Sequence, residues 1–153
     1  MLTMSPVLRD ERHQLYQMVE EYWRLRLSTD HFARDPLPRS NYFDDEFWDE
    51  KETRFLWWAK TDGNIMGFAV TELVDDPAYE THGQIDDLYI TASFRRQGHG
   101  REFARLLFDW FTRQGVNTVR LFVRQDNPDA LVFWEKEGFE TVQVWYQMRR
   151  TLR

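Results

Sequence analysis

The chain has no cysteine among its 153 residues, which removes disulfides, thiolate metal sites and a cysteine nucleophile together. Basic residues are in the minority: 20 Lys and Arg face 26 Asp and Glu, for a net charge of -6 and a pI near 5.2. Nucleic-acid binders usually carry a basic footprint, so no nucleic-acid partner is expected. Apolar runs are short, and none approaches the roughly 18–20 residues of a membrane span, so no membrane partner is expected either. Met1-Leu2-Thr3-Met4-Ser5-Pro6 lacks the charged and apolar regions of a secretory signal, and a cytoplasmic protein is the expectation. His13, His31, His82 and His99 are scattered without metal-ligand spacing, so no metal site is expected.

What is present is a core. Hydrophobic residues make up 42% of the chain and aromatic residues 16%, including 7 Trp, which is enough for one folded domain spanning 1–153. Asp10 precedes an amphipathic helix with Leu15, Met18, Val19, Tyr22 and Trp23 on one stripe. A breaker segment over 35–41 leads to an acidic and aromatic piece over 42–50, read as a second helix. Strand-like runs over 54–60 and 65–73 flank Thr61-Asp62-Gly63-Asn64, a hairpin signal, and a further strand is read over 84–91. Gly98 opens a helix with Phe103, Leu106, Leu107, Trp110 and Phe111 on one face, and Gly115 ends it. Val119, Leu121 and Val123 alternate as a strand, and Pro128 and Gly138 bracket a short helix. Val142, Val144, Tyr146 and Met148 alternate as a closing strand with those residues inward. The order gives one mixed α/β (α+β) domain.

The most informative junction is Arg95-Arg96-Gln97-Gly98-His99-Gly100, between a strand and a long helix. Glycines there let the backbone bend closely, and a helix start offers N–H groups without intrahelical partners together with the positive end of the dipole. A pyrophosphate suits such a site, although a plain tight turn would use the same glycines. The dipole gives only about 0.3–1 kcal/mol per anion, so oriented N–H groups and nearby Arg must supply most of the grip. A nucleotide P-loop would end in Gly-Lys-Ser/Thr, and a dinucleotide motif would carry a third glycine; neither is here.

The order Arg-x-x-Gly-x-Gly after the strand Asp87-Leu88-Tyr89-Ile90 resembles the acetyl-CoA motif of the GNAT N-acetyltransferase superfamily. A second block is similar to another motif of that family: Asn127-Pro128-Asp129-Ala130, continuing through Phe133-Trp134-Glu135-Lys136-Glu137-Gly138-Phe139. The resemblance covers roughly residues 54 to 148. It implies a GNAT-like central twisted mixed β-sheet flanked by about four helices. It also implies acetyl-CoA as co-substrate. Backbone atoms of Leu88, Tyr89 and Ile90 would take the pantetheine arm. Arg95, Arg96, Gln97, Gly98, His99, Gly100 and Arg101 would hold the pyrophosphate through main-chain N–H groups. Asn127 would contact the cofactor, cap its helix, or do both.

Acetyl transfer to an amine needs a neutral amine, an oxyanion stabiliser and a route for the leaving thiolate. A lysine-like amine with a reference pKa near ~10.4 costs roughly 4–5 kcal/mol to deprotonate at pH 7. Asp86 and Asp87 lie on the strand entering the site, and strand alternation puts their side chains on opposite faces. Resemblance to polyamine-type members, with an acidic pair before a similar Leu-Tyr-Ile segment, makes Asp86 the candidate base, with a water relay. Asp87 is read as a strand charge. Where many family members carry a Tyr cast as the acid for the leaving sulfur, this chain has Trp134, whose indole N–H donates a hydrogen bond but no proton. Tyr89 and Tyr146 are the alternative hydroxyls. The acids at Asp44, Asp45, Glu46, Asp49, Glu50 and Glu52, with Asp75, Asp76 and Glu80, are a solvated face or a field for a cationic acceptor.

The expected activity is acetyl transfer to a small cationic amine, with a protein or peptide amine as the enzymatic alternative. A CoA-binding module without efficient catalysis and a pure interaction domain are the non-enzymatic ones. The resemblance makes a homodimer a reasonable assembly.

Overall fold

Pairing of the sheet begins earlier than the sequence pattern predicts. In the computed structural model, which describes residues 1–26, Trp48 and 53–152, a strand β1 at Leu2–Pro6 pairs antiparallel with β2 at Arg54–Thr61. Five residues ending in proline read poorly as a strand, but an edge position needs few ladder donors and tolerates Pro6. β2 turns into β3 at Asn64–Val74 through two residues, Asp62 and Gly63, both with positive φ (47° and 80°). That is the turn whose twist matches a hairpin, as the Asp-Gly pair predicts. β3 pairs antiparallel with β4 at His82–Ile90, and β4 pairs parallel with β5 at Val119–Leu121. The resulting mixed sheet has the order β1-β2-β3-β4-β5. A Cβ on Gly67 would lie 1.9 Å from the Tyr89 carbonyl oxygen, so close approach of β3 to β4 requires glycine there.

The two sheet faces are covered by different helices. On one, α1 at Arg12–Arg26 buries Leu15 and Val19 in a cluster with Val7, Trp48, Leu56, Trp58, Phe68, Val70 and Tyr89. On the other, α2 at His99–Arg113 buries Phe103, Ala104, Leu107, Trp110 and Phe111. The Trp110 ring meets Phe55 at 4.9 Å and Trp57 at 5.1 Å, and Trp57 satisfies its indole N–H by donating to Thr71 Oγ1 at 2.9 Å. Each large apolar side chain removed from water here is worth about 1.5–3 kcal/mol. The expected helix over 42–50 lies outside the described residues except for Trp48.

The chain divides into two units, Met1–Leu121 and Phe122–Arg153. The second holds α3 at Pro128–Lys136, begun by Asn127 and followed by Gly138 with φ 93°. Two expectations fail in this stretch. The strand read through Val123 stops at Leu121, and residues 139–152 contain no strand. Val142, Val144, Tyr146 and Met148, expected inward, are 91%, 60%, 79% and 90% exposed. Alternation records a fit to a pleated, half-buried surface, and it becomes a strand only beside a partner. Among its described residues this unit has none to offer. No helix among the described residues is long and apolar enough to cross a membrane.

Candidate active site

The two carboxylates of β4 are placed by an irregularity in the ladder. Asp87 pairs with Val70 and Ile85 with Thr71, so Asp86 is an extra residue on β4, a β-bulge. The bulge overrides simple alternation. Val70 belongs to the α1-facing cluster, and its partner Asp87 lies on that face, where Arg26 at the end of α1 donates to Asp87 Oδ1 at 3.2 Å. Gln84 pairs with Glu72, two residues from Val70 on the same face, and donates to Asp86 Oδ1 at 2.6 Å. Asp86 and Asp87 therefore share the α1 face, correcting the expectation that they point apart.

Their electrostatic states differ. Asp87 is 8% exposed and ion-paired to Arg26. Burial and the Asp87 charge push the neighbouring Tyr22 hydroxyl well above the usual range for a phenol. Asp86 has one oxygen on Gln84, while its Oδ2 is buried without a hydrogen-bond partner among the described residues. Three residues along, the Tyr89 hydroxyl donates to Glu21 Oε1 at 2.6 Å. Burial, then that hydrogen bond, push the Tyr89 hydroxyl up to about 12, which makes it a poor proton donor near neutrality.

Beyond β4 the chain makes a short 3₁₀ turn at Ala92–Phe94 and enters the cradle. Arg96 (φ 59°) and Gly98 (φ 83°) are both left-handed, a winding that turns successive N–H groups toward one side as in anion-binding nests. Gly98 is the residue before α2 and gives it no side-chain cap, and nothing lies within 4 Å of where its Cβ would be. The first N–H groups of a 15-residue helix lack intrahelical partners at its positive end, and Gly98 supplies no capping side chain, an arrangement that fits a pyrophosphate. Arg95 turns the other way: its Nε donates to the Ile90 carbonyl at 2.8 Å and its guanidinium lies 5.0 Å from the Tyr89 ring centre. The His99 ring meets Phe94 edge-on at 6.3 Å, with Nδ1 buried and without a hydrogen-bond partner among the described residues. Gln97 donates to the Ser93 carbonyl at 3.4 Å, and Gly100 and Arg101 occupy the first turn of α2. Leu88, Tyr89 and Ile90 form the end of β4 that leads into this turn.

In the second unit, Asn127 Oδ1 accepts from the Ala130 N–H at 3.2 Å, so the capping role is realised. Trp134 is buried between Phe133 and Phe139, at ring distances of 4.8 and 5.2 Å. Tyr146 is exposed. Sequence reasoning missed Gln84, Glu21, Tyr22 and Arg26. Gln84 had a faint signal in its i,i+2 spacing from Asp86, whereas the partners on α1 had none.

Residues 12–139 match the family model described as the acetyltransferase (GNAT) family. The chain belongs to the GNAT acetyltransferase family. Members of this family use acetyl-CoA. The ribosomal protein bS18-alanine N-acetyltransferase of Escherichia coli strain K12 is 30% identical over 92 residues, 60% of this chain and 59% of that protein. The N-alpha-acetyltransferase daf-31 of Caenorhabditis elegans is 33% identical over 88 residues, 54% of this chain and 46% of that protein. These matches span less than two thirds of the relatives' own length. The aminoglycoside N-acetyltransferase AAC(6')-Iy, solved in complex with CoA, shares the GNAT fold with a TM-score of 0.74 at 14% identity, over 99% of this chain and 96% of that one.

Proposed function

We propose that this GNAT chain transfers the acetyl group of acetyl-CoA to a primary amine beside the bulge of β4. The observation that carries the reading is Asp86. Its carboxylate is fixed through one oxygen by Gln84, and the other oxygen has no hydrogen-bond partner among the described residues, on the strand that leads into the cradle. Main-chain N–H groups of residues 96–101 would hold the pyrophosphate, and the backbone of Leu88, Tyr89 and Ile90 the pantetheine arm. The Arg95 N–H, expected among the donors, is given to the Ala92 carbonyl at 3.4 Å, which closes the preceding 3₁₀ turn. Asn127 spends only Oδ1 on its cap, which leaves its amide nitrogen as a donor for the cofactor.

In the step itself the amine nitrogen attacks the thioester carbonyl carbon and the carbon–sulfur bond breaks. The amine proton passes to Asp86 through water. A carboxylate with a reference pKa of about 3.9 is a weak base, so Asp86 serves chiefly to bind the ammonium and relay its proton. A backbone N–H on the 88–90 segment would polarise the carbonyl oxygen. Trp134 supplies no proton, and a thiol with a pKa of about 8.5 leaves without one.

The acceptor read from the acids of the sequence, Asp44 to Glu52 and Asp75 to Glu80, is a small cationic amine. A polypeptide α-amino group is the second reading, favoured by the two relatives named for alanine and N-alpha acetylation. Its reference pKa of about 7.7–8.0 makes deprotonation cost only about 1 kcal/mol at pH 7. Thiol release from acetyl-CoA with polyamines, aminoglycosides, amino acids and alanine-initiated peptides tests both. Turnover confined to the peptides overturns the small-amine reading. Asp86→Asn is expected to lower turnover by about 10²–10⁴-fold with acetyl-CoA affinity retained. Undiminished turnover removes Asp86 from the chemistry.

A further inference from the structure

The bulge brings an ion pair to the acceptor side of the candidate site, and the proposed reaction does not use it. Arg26 closes α1, and its guanidinium reaches the buried Asp87 at 3.2 Å, with side-chain exposures of 35% and 8%. Arg26 also donates to the Tyr22 hydroxyl at 3.2 Å and lies 5.8 Å from that ring's centre, so it is held from several sides. A second opposed pair, Glu21 and Arg95, meets at Tyr89: one accepts the hydroxyl's hydrogen bond and the other covers the ring. With these pairs set against each other, Asp86 is the one charge around the bulge left uncompensated among the described residues.

The geometry points to Arg26 and Asp87 as a charge-balancing pair that leaves the acceptor side of the site, among the described residues, with one free negative charge, carried by Asp86. Both are positioning residues. By cancelling Asp87, Arg26 matches the site to a single ammonium group at the reacting end of the acceptor and keeps Asp87 from competing with Asp86 for it. The inference rests on the reading of Asp86 given above.

The charge arithmetic supplies a test that a purely structural pair would not pass. In Asp87→Asn the guanidinium of Arg26 keeps its charge, as an arginine does in proteins, so the described part of the site loses its net negative charge. In the double variant Arg26→Gln with Asp87→Asn the pair is neutral again and the charge of the site returns. Binding of butylamine and of 1,4-diaminobutane to the CoA-loaded protein is measured by calorimetry. Asp87→Asn is expected to weaken the diamine about tenfold and the monoamine less, because the uncovered charge acts on each ammonium. The double variant is expected to return both to within about twofold of wild type. Should Asp87→Asn not fold, Asp87→Ser makes the same charge change and carries the same expectation.

Unchanged amine binding in the single variant, a loss that persists in the double variant, or failure of both amines to bind the wild type overturns the inference. Asp86→Asn separates this from the reading beneath it. Amine binding that survives Asp86→Asn sinks the role of Asp86 whatever the Asp87 cycle shows. Loss there with a flat Asp87 cycle sinks only the charge-balancing pair.

Discussion

The three helices begin in three ways, and the contrast shows what an open helix start is for. α3 satisfies itself: Asn127 accepts from the Ala130 N–H, and Pro128 occupies the first position. α1 is preceded by a 3₁₀ turn, Arg9–Glu11, where Glu11 Oε2 takes the Leu8 N–H at 2.8 Å and the Trp58 indole N–H at 2.9 Å. α2 begins at Gly98 with no side-chain cap, and the one acid in its first turn, Glu102, accepts from the Leu2 N–H at 3.3 Å instead. A glycine in place of a capping side chain costs only a few tenths of a kcal/mol. A helix that carries that cost at a left-handed glycine keeps its N–H groups for an external anion, and the chain leaves this at α2 alone among its described helices.

The sharpest way to break the contrast is to give α2 an acid. Gly98→Asp keeps a residue that tolerates the left-handed region but sets a carboxylate among the same N–H groups. A unit charge near the pyrophosphate at an effective dielectric of about 20 corresponds to roughly a 100-fold loss of acetyl-CoA affinity. Calorimetry on the folded variant checks it, and unchanged affinity would place the phosphates elsewhere.

A smaller effect is expected at α3. Asn127→Ala should cost about 1 kcal/mol of stability, read by thermal unfolding. Asn127→Asp retains the capping oxygen and should keep that stability, while removing the amide donor lowers acetyl-CoA affinity several-fold. An Asp variant with wild-type affinity would reduce Asn127 to a cap.

The smallest effect belongs to the start of α1. Burial works to raise the Glu11 carboxyl, but the Leu8 N–H, the Trp58 indole and Lys60 outweigh it and hold it below its usual 4.5. A lowered folded value means that its stabilisation is complete above the unfolded pKa and is lost as pH falls through the lowered one. The melting-temperature gap between wild type and Glu11→Gln should therefore be widest above pH 4.5 and close below it. A gap independent of pH would remove the charge from the account.

Much of this was legible because it is local. Asp62 and Gly63 announce their turn by their own φ preferences, and the phase of Phe103, Leu107, Trp110 and Phe111 announces the buried face of α2. Asn127 three residues before Ala130 announces a cap. What failed was what needs a partner. β1 is a strand because β2 lies beside it, whereas the alternation from Val142 to Met148 has no strand to pair with among the described residues of its own unit. The bulge at Asp86 is a mismatch between two ladders, invisible in either strand alone.

The sequence by itself determined the glycine-started helix, the Arg-x-x-Gly-x-Gly order and hence the family and its co-substrate, since these depend on residues a few positions apart. Only the tertiary structure decided that Asp86 and Asp87 share a face and that Arg26, 61 residues away, neutralises one of them. It also decided that the hydroxyl of Tyr89 is committed to Glu21, 68 residues away. Backbone preference acts over a turn of chain. A charge finds its partner only after the sheet register and the helix above it have brought the two together.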